Sequence, residues 1–437
     1  MAQPPPEDKL RSAQDLLMGT HYVPRAILGE GAFGLVVLAR DSRVNNYRAV
    51  KLIQRQEQHM QLLRREIKLH WSMDHPHIVR VREVFRAGST HVGIAMDACT
   101  AGSLLDYLET HGHSHAGRKP SEVQGQPVAW GLKEGMARWF LQQLVLALEY
   151  CHAREVVHRD IKLENVLLES VQGVPLPLVR LADFGLSRRH NAENPCVTHV
   201  GTPAYLAPEL LQLWLENGSL PLTHTGPQAY DGTKVDVWAL GVLLYTLLFY
   251  RYPFGSPSSA HLQQAAQAGL GTARVPGTAH GTAADTPMDN IKRLLAADVR
   301  YPDPLTAGGR LVSPDCMALL KSMLQLKPAD RPSIAEIIAT PWFKELLPKD
   351  AIDMTRNQLD RERQWAKDGV LHKHRQPLEE VIDVIENPEA APHTTPLPAP
   401  DAVPRHSGGC DHEPSGGPAA PGDHGSDPVK SGCCSCF

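Results

Sequence analysis

In the run His158-Arg159-Asp160-Ile161-Lys162-Leu163-Glu164-Asn165, a carboxylate, an ammonium and an amide fall within six residues. That combination suits phosphoryl transfer. The reaction needs a group to orient an attacking hydroxyl, positive charge beside the moving phosphate, and oxygen ligands for a metal. Asp160 would accept or orient the hydroxyl proton, Lys162 would sit by the phosphate, and Asn165 would hold magnesium. Eighteen residues past Asn165 comes Asp183-Phe184-Gly185, whose aspartate offers a second hard-oxygen ligand. Carboxylate and amide oxygens suit Mg2+, which also takes phosphate oxygens. Alone, Asp-Phe-Gly is an ordinary turn; in this order and spacing the turn reading loses.

Two upstream features belong to the same chemistry. In Gly29-Glu30-Gly31-Ala32-Phe33-Gly34 the glycines would let backbone N–H groups approach phosphates. A dinucleotide-binding fold would follow this turn with a helix. Here the β-branched run Leu35-Val36-Val37-Leu38 follows, so the glycines lie between two strands and a nucleotide-dependent dehydrogenase is excluded. Lys51 ends Ala49-Val50-Lys51, seventeen residues past Gly34, a position that suits phosphate binding better than a solvated strand edge. Glu66 shares a helical stripe with Leu62, Leu63 and His70, and Lys51 is its natural partner. A plain helix-surface glutamate is the competing reading.

These residues need a scaffold. The chain has 437 residues, 42% of them hydrophobic, and a formal net charge of −4, which gives no bulk attraction to nucleic acid. Residues 1–20 read as a flexible leader. Strands with one helix over Gln56–Trp71 occupy about 21–97, and helices dominate about 98–346. Ala137–Cys151 is amphipathic, and the apolar run Val237–Phe249 is too short for a bilayer, reading as a buried helix. Segments near 111–128 and 256–286 look like surface insertions. Residues 347–387 form a tail that carries a short amphipathic helix. In it Leu378, Val381, Ile382 and Ile385 make an i, i+3, i+4, i+7 stripe, and the helix is too short to persist without a partner surface. Residues 388–437 are Pro/Gly-rich and read as disordered. The eight cysteines lack a second zinc-spaced pair, which favours a reducing, cytoplasmic setting.

Three more motifs follow in order: Gly201-Thr202-Pro203-Ala204-Tyr205-Leu206-Ala207-Pro208-Glu209, then Asp236-Val237-Trp238, then Asp330-Arg331-Pro332. With these, the chain from about Tyr22 to Phe343 resembles a eukaryotic protein kinase. The resemblance implies an α+β, bilobal protein kinase fold with a small β-rich lobe carrying one key helix, a larger helical lobe, and Mg2+-ATP in the cleft. It implies that Leu28, Gly29, Gly31 and Gly34 cover the nucleotide. Val36, Ala49 and Leu167 would sandwich the adenine, Met96 would guard the back of the pocket, and Asp97 and Cys99 would form the hinge. A Glu209–Arg331 ion pair would brace the large lobe. Lys162 and Thr202, the latter expected to hydrogen-bond Asp160 and Lys162, resemble serine/threonine kinases. Arg159 implies a phosphate-dependent switch, with Thr198 as the candidate site.

Val200-Gly201-Thr202-Pro203-Ala204-Tyr205, Tyr230-Asp231-Gly232, Tyr252-Pro253-Phe254 and Pro341-Trp342-Phe343-Lys344-Glu345-Leu346-Leu347-Pro348 narrow the likeness. They resemble the second subfamily of plant sucrose-non-fermenting-related kinases, within the calmodulin-dependent-type group. The longer Leu211–Ala229 stretch and the 256–286 insertion depart from that pattern. The likeness implies stress or nutrient signalling, protein substrates, an upstream kinase or phosphatase, a monomer, and a tail helix packed on the helix that carries Glu66. The terminus Cys433-Cys434-Ser435-Cys436-Phe437 resembles a prenylation box with Cys434 as the candidate site and Cys433 as a candidate for acylation, which would add membrane attachment; a tail of reactive but unmodified thiols is the competing reading. Entry to the nucleus is compatible with this reading. The rival is a pseudokinase scaffold, whose usual mark is loss of Lys51, Asp160 or Asp183; none is lost.

Overall fold

The computed structural model describes residues 7–31, 34–56, 60–112, 131–189, 203–217, 230–255, 286–302, 312–348, 350–367 and 376–387. Five antiparallel strands build the small lobe: β1 (Tyr22–Gly31), β2 (Gly34–Asp41), β3 (Asn46–Gln54), β4 (Val81–Ala87) and β5 (His91–Asp97), in the order β1-β2-β3-β5-β4. Residues directly opposite one another in such a sheet share a face. Lys51 pairs with Val36 on one side and Ile94 on the other, and Ala49 pairs with Leu38 and Met96. One face therefore collects Val36, Ala49, Lys51, Ile94 and Met96, while Val37, Val50 and Ala95 are buried on the other. Gly34 opens β2 with φ +134°, and a Cβ there would stand 2.1 Å from the Leu52 carbonyl oxygen, so only glycine fits the turn.

The leader is not loose throughout. Helix α1 (Glu7–Leu17) seats Ala13 and Leu17, both buried, on the sheet face that turns away from Lys51. Its buried stripe relies on an alanine, which contributes little to an apolar periodicity, and its stability comes from docking rather than length. Helix α2 (Met60–Trp71) covers part of the opposite face with Leu63 and Ile67.

The large lobe forms around α4 (Glu134–Ala153) and α6 (Gly232–Phe249), with α3 (Leu104–His111) before them in the chain and α5 (Pro208–Asn217) between them. Helix α6 is apolar on all sides, the pattern of a core helix. Among the described residues it is the one helix long and apolar enough to cross a membrane, and 89% of that window is buried here. The lobe is completed by α7 (Pro287–Leu295), α8 (Pro314–Met323), α9 (Ile334–Ala339) and α10 (Pro341–Lys344). Short strands β6 (Val156–Val157) and β9 (Arg188–Arg189) pair, as do β7 (Val166–Glu169) and β8 (Leu178–Leu181). The insertion segments fall almost wholly outside the described residues.

Two tail helices follow. Helix α11 (Ala351–Lys367) buries Thr355 and Leu359, and Thr355 Oγ1 lies 3.1 Å from His75 Nε2. Helix α12 (Leu378–Glu386) lies against α2 and the edge strand β4. Val381, Val384 and Ile385 are buried there with Leu63, Ile67 and Trp71. Leu378, expected in the stripe, is instead exposed, and Val384 takes the inward place. The helix is rotated by roughly half of one residue's step relative to the expected face. Its docking is polar as well. Arg55 donates to the carbonyls of Val384 and Ile385, and Arg86 donates to Asp383 Oδ2 at 2.9 Å and to the Asn387 carbonyl at 2.8 Å. The Gln376 side-chain amide exchanges two 3.2 Å hydrogen bonds with the backbone of Val84, pairing the open sheet edge as a strand would.

Arg331 forms a two-point pair with Glu209 at 2.7 Å for each bond, donates to the carbonyls of Gln325, Leu326 and Lys234, and lies over the Trp238 ring at 4.9 Å. Arg331→Met would leave Glu209 and three carbonyls without their donor. Urea unfolding should show a loss of about 3–5 kcal/mol; a loss below ~1 kcal/mol would mean that the pair does not brace the lobe.

Candidate active site

The run around Asp160 is held from beneath. Asp236, in the first turns of α6, is fully buried, and its carboxylate accepts the backbone N–H groups of His158 at 3.0 Å and Arg159 at 2.7 Å. His152 Nε2 lies 2.8 Å from the same carboxylate. Burial alone would raise this acid, but the hydrogen bond from His152 and the neighbouring histidine charges hold it below the usual aspartate range. Arg159 sits at φ +65° and Asp183 at φ +62°, a region that side-chain-bearing residues enter rarely and mostly at functional sites. The Asp236 bonds stabilise the first of these two turns.

The side chains above that support converge. Lys162 Nζ lies 2.8 Å from Asp160 Oδ2. Asn165 Nδ2 donates to the Asp160 backbone oxygen and to Oδ2, both at 2.8 Å, which turns the Asn165 oxygen the other way as an acceptor. Lys51 Nζ is 2.8 Å from Glu66 Oε1 and 3.7 Å from Asp183 Oδ1. Burial would push the Lys51 ammonium down, but the carboxylates of Glu66 and Asp183 outweigh it and raise it above the ordinary lysine value. Burial would likewise raise Asp183, yet Lys51 and the Gly185 N–H hold it below the usual carboxylate range. Both groups are therefore ionised at neutral pH.

A row of rings joins these parts. Phe184 is fully buried, stacks on His70 with centroids 4.8 Å apart, and meets His158 edge to face at 4.9 Å. His70 lies one turn past Glu66 on α2, and its Nε2 bonds the Val79 carbonyl at 2.7 Å. Burial pushes its imidazolium down to about 4, so it stacks as a neutral ring. His158 Nε2 bonds the Ala182 carbonyl at 3.1 Å, tying the Asp160 loop to the Asp183 turn.

A cleft of about 410 Å3 opens between the lobes. Leu28, Gly29, Val36, Ala49, Lys51, Met96, Asp97, Cys99, Asn165, Leu167 and Asp183 all line it, as expected from the sequence, and Glu66 and His70 reach its rear. A Cβ on Gly29 would meet nothing within 4 Å, so this strand leaves room for a ligand. Gly31 and Gly34 do not line the cleft; they shape the hairpin above it. The Asp97 carboxylate is bound by Arg82 at 2.7 Å and Arg48 at 2.8 Å, so Asp97 offers the cleft its backbone rather than its side chain. Burial pushes the Cys99 thiol up to about 12, which makes it a packing group and not a nucleophile. Asn165 and Asp183 present hard oxygens on one wall, a donor set that fits Mg2+. Arg159 donates to the Leu186 carbonyl at 2.8 Å and the Tyr230 hydroxyl at 3.1 Å. Thr198, Thr202, Cys433 and Cys434 lie outside the described residues.

The sequence reading assigned no role to Asp236 or His70. Asp236 carried a usable signal, a lone acid in an apolar helix that demands buried donors. His70 stood on the Glu66 stripe, but nothing local announced that its ring meets Phe184.

The geometry is that of a nucleotide-dependent phosphotransferase, and the comparisons with known proteins agree. The protein kinase domain model matches residues 22–343, and the chain belongs to that family. Serine/threonine-protein kinase SAPK3 of Oryza sativa subsp. indica is 33% identical over 369 residues, 84% of this chain and 89% of the relative. Serine/threonine-protein kinase SRK2E of Arabidopsis thaliana is 34% identical over 326 residues, covering 75% and 72%. Serine/threonine-protein kinase SRK2A of Physcomitrium patens is 33% identical over 333 residues, covering 76% and 77%. The chain is a protein serine/threonine kinase rather than a silent scaffold. Kinases of this family act on proteins and in general use ATP and Mg2+.

A group whose folded pKa is depressed contributes stability above its unfolded pKa and loses it as pH falls through the folded value. Asp183 is such a group. The urea stability of the wild type should therefore exceed that of Asp183→Asn at neutral pH, and the gap should narrow progressively as pH falls below the ordinary aspartate value of about 4. A gap independent of pH would show that Asp183 is not held ionised by Lys51.

Proposed function

We propose that this chain transfers the γ-phosphate of Mg2+-ATP to serine or threonine hydroxyls of proteins through the cleft described above, in stress or nutrient signalling. The single observation that carries the site assignment is the Lys51 ammonium lying within 2.8 Å of Glu66 and 3.7 Å of Asp183, across the cleft wall from Asn165. In this arrangement Lys51 binds phosphate oxygens and Glu66 fixes its position. Asn165 and Asp183 would hold Mg2+, which neutralises phosphate charge when bound. Asp160 orients the acceptor hydroxyl and takes its proton. The hydroxyl oxygen forms a bond to the γ-phosphorus as the bond to the bridging oxygen of the departing ADP breaks. Lys162, beside Asp160, balances charge on the moving group. With radiolabelled ATP and a generic basic protein substrate, Asp183→Asn should give no signal, and Asp160→Asn should lower kcat by about 10²–10⁴-fold. Near-normal transfer by either variant would overturn the assignment.

Regulation is part of the same reading. Helix α12 shares an apolar cluster with α2, the helix that positions Glu66, and that cluster reaches Met96. Docked α12 favours the inward position of α2, as any element that binds one conformation does. Deleting residues 376–387 should lower kcat/KM by about tenfold and reduce the melting temperature by several degrees. Unchanged activity and melting temperature would refute this role.

Phosphate on Thr198 would pair with Arg159, beside the Asp160 loop. The free thiols of Cys99, Cys151 and Cys316 support a reducing, cytoplasmic setting, and an isoprenoid on Cys434 with an acyl chain on Cys433 would bring the enzyme to a membrane. Mass analysis of cell-derived protein should find phosphate on Thr198 and a lipid on Cys434, and Thr198→Ala should lower activity. Full activity of Thr198→Ala, or an unmodified C-terminus, would end the corresponding part of the reading.

A further inference from the structure

Helix α1 crosses the small-lobe sheet on the face opposite the cleft, and its two ends meet two different turns. At its C-terminal end Leu17 is buried and Leu16 packs beside the β4–β5 turn, 3.4 Å from where a Cβ on Gly88 would lie. Toward its N-terminal end the Lys9 ammonium forms an ion pair with Glu30. Glu30 stands between Gly29, which lines the cleft, and Gly31, which pairs with Gly34 at the hairpin's end. Ala13 and Leu17 share one apolar cluster with Val37, Ala39, Val50 and Leu52, so the helix rests on that face of the sheet, nearest β1, and its lysine pairs with the same strand.

We propose that α1 is a positioning element for the nucleotide. Anchored on the sheet, it holds the glycine-bearing hairpin at a fixed height above the cleft, and Lys9 is a positioning residue that acts through Glu30. This rests on the reading of the cleft as the ATP site. The hairpin's backbone contributes to binding only when its N–H groups are already placed, so a brace that removes hairpin motion strengthens ATP binding without touching the groups that react. Both partners of the ion pair are partly exposed, which keeps the effect modest.

The test is steady-state kinetics on the full chain with ATP varied. Lys9→Glu should raise the KM for ATP about two- to fivefold with kcat within about twofold of wild type. Adding Glu30→Lys to that variant should restore the KM, because the pair is rebuilt with its charges exchanged. Ala13→Asp, which unseats the helix, should raise the KM at least as much. An unchanged KM in Lys9→Glu, or a rise that the double reversal fails to repair, would overturn the role of Lys9; an unchanged KM in Ala13→Asp would overturn the brace. A merely structural α1 would lower the melting temperature of Ala13→Asp and leave the KM alone. Lys51→Met tests the parent reading separately: phosphoryl transfer that survives it at the wild-type rate would show that the cleft is not the nucleotide site, whatever Lys9 does.

Discussion

Lys51 carries its charge into the cleft with only 14% of its side chain exposed, where an unpaired ammonium would cost several kcal/mol. It is tolerated because Glu66 and Asp183 come to it from two directions. Each approach constrains other elements. Glu66 can reach 2.8 Å only if α2 lies close against the sheet, and Asp183 only if its turn adopts a left-handed backbone. The buried ring row of His70, Phe184 and His158 satisfies both conditions, because Phe184 contacts α2 on one side and the Asp160 loop on the other. Reagents for phosphate, metal and hydroxyl are thus brought to one place by packing that involves none of them directly.

The same logic explains why the supports are buried and the reagents line a cleft. Asp236 accepts three donors where no water competes, so it fixes the backbone under Asp160 without taking part in chemistry. Arg331 and Glu209 do the equivalent at the base of the large lobe. Helices α1 and α12 extend the principle to the two faces of the small-lobe sheet. One backs the sheet beside β1, and the other packs between α2 and β4. A five-stranded sheet with both faces partly covered leaves the nucleotide a wall with limited freedom to move.

Much of the site was legible in the sequence, because its reagents sit in short turns whose spacing is set by the chemistry. Asp160, Lys162 and Asn165 are neighbours in the chain, and register alone places Lys51, Ala49 and Met96 on one face once β3 and β5 pair. The apolar runs Val36–Leu38 and Ala49–Ile53 lie inside β2 and β3, and α2 falls within the helix expected over Gln56–Trp71. What escaped depends on contacts between distant segments. Asp236 works on residues 77 and 78 positions away, and Arg86 on a residue 297 positions away. Helix α1 hides because an alanine is its buried centre. In α12 the apolar residues are too numerous for periodicity to choose a face, and the register with β4 and α2 decided that Val384 turns in and Leu378 out.

The most direct measurement is a structure of the full chain with Mg2+ and a non-hydrolysable ATP analogue. The expected result has Lys51 bonded to phosphate oxygens while still paired with Glu66, metal oxygens supplied by Asn165 and Asp183, and the adenine between Val36, Ala49 and Leu167. A nucleotide bound elsewhere, or one bound in the cleft with Lys51 still turned only to protein carboxylates, would contradict the central claim that this buried charge cluster exists to receive the phosphates.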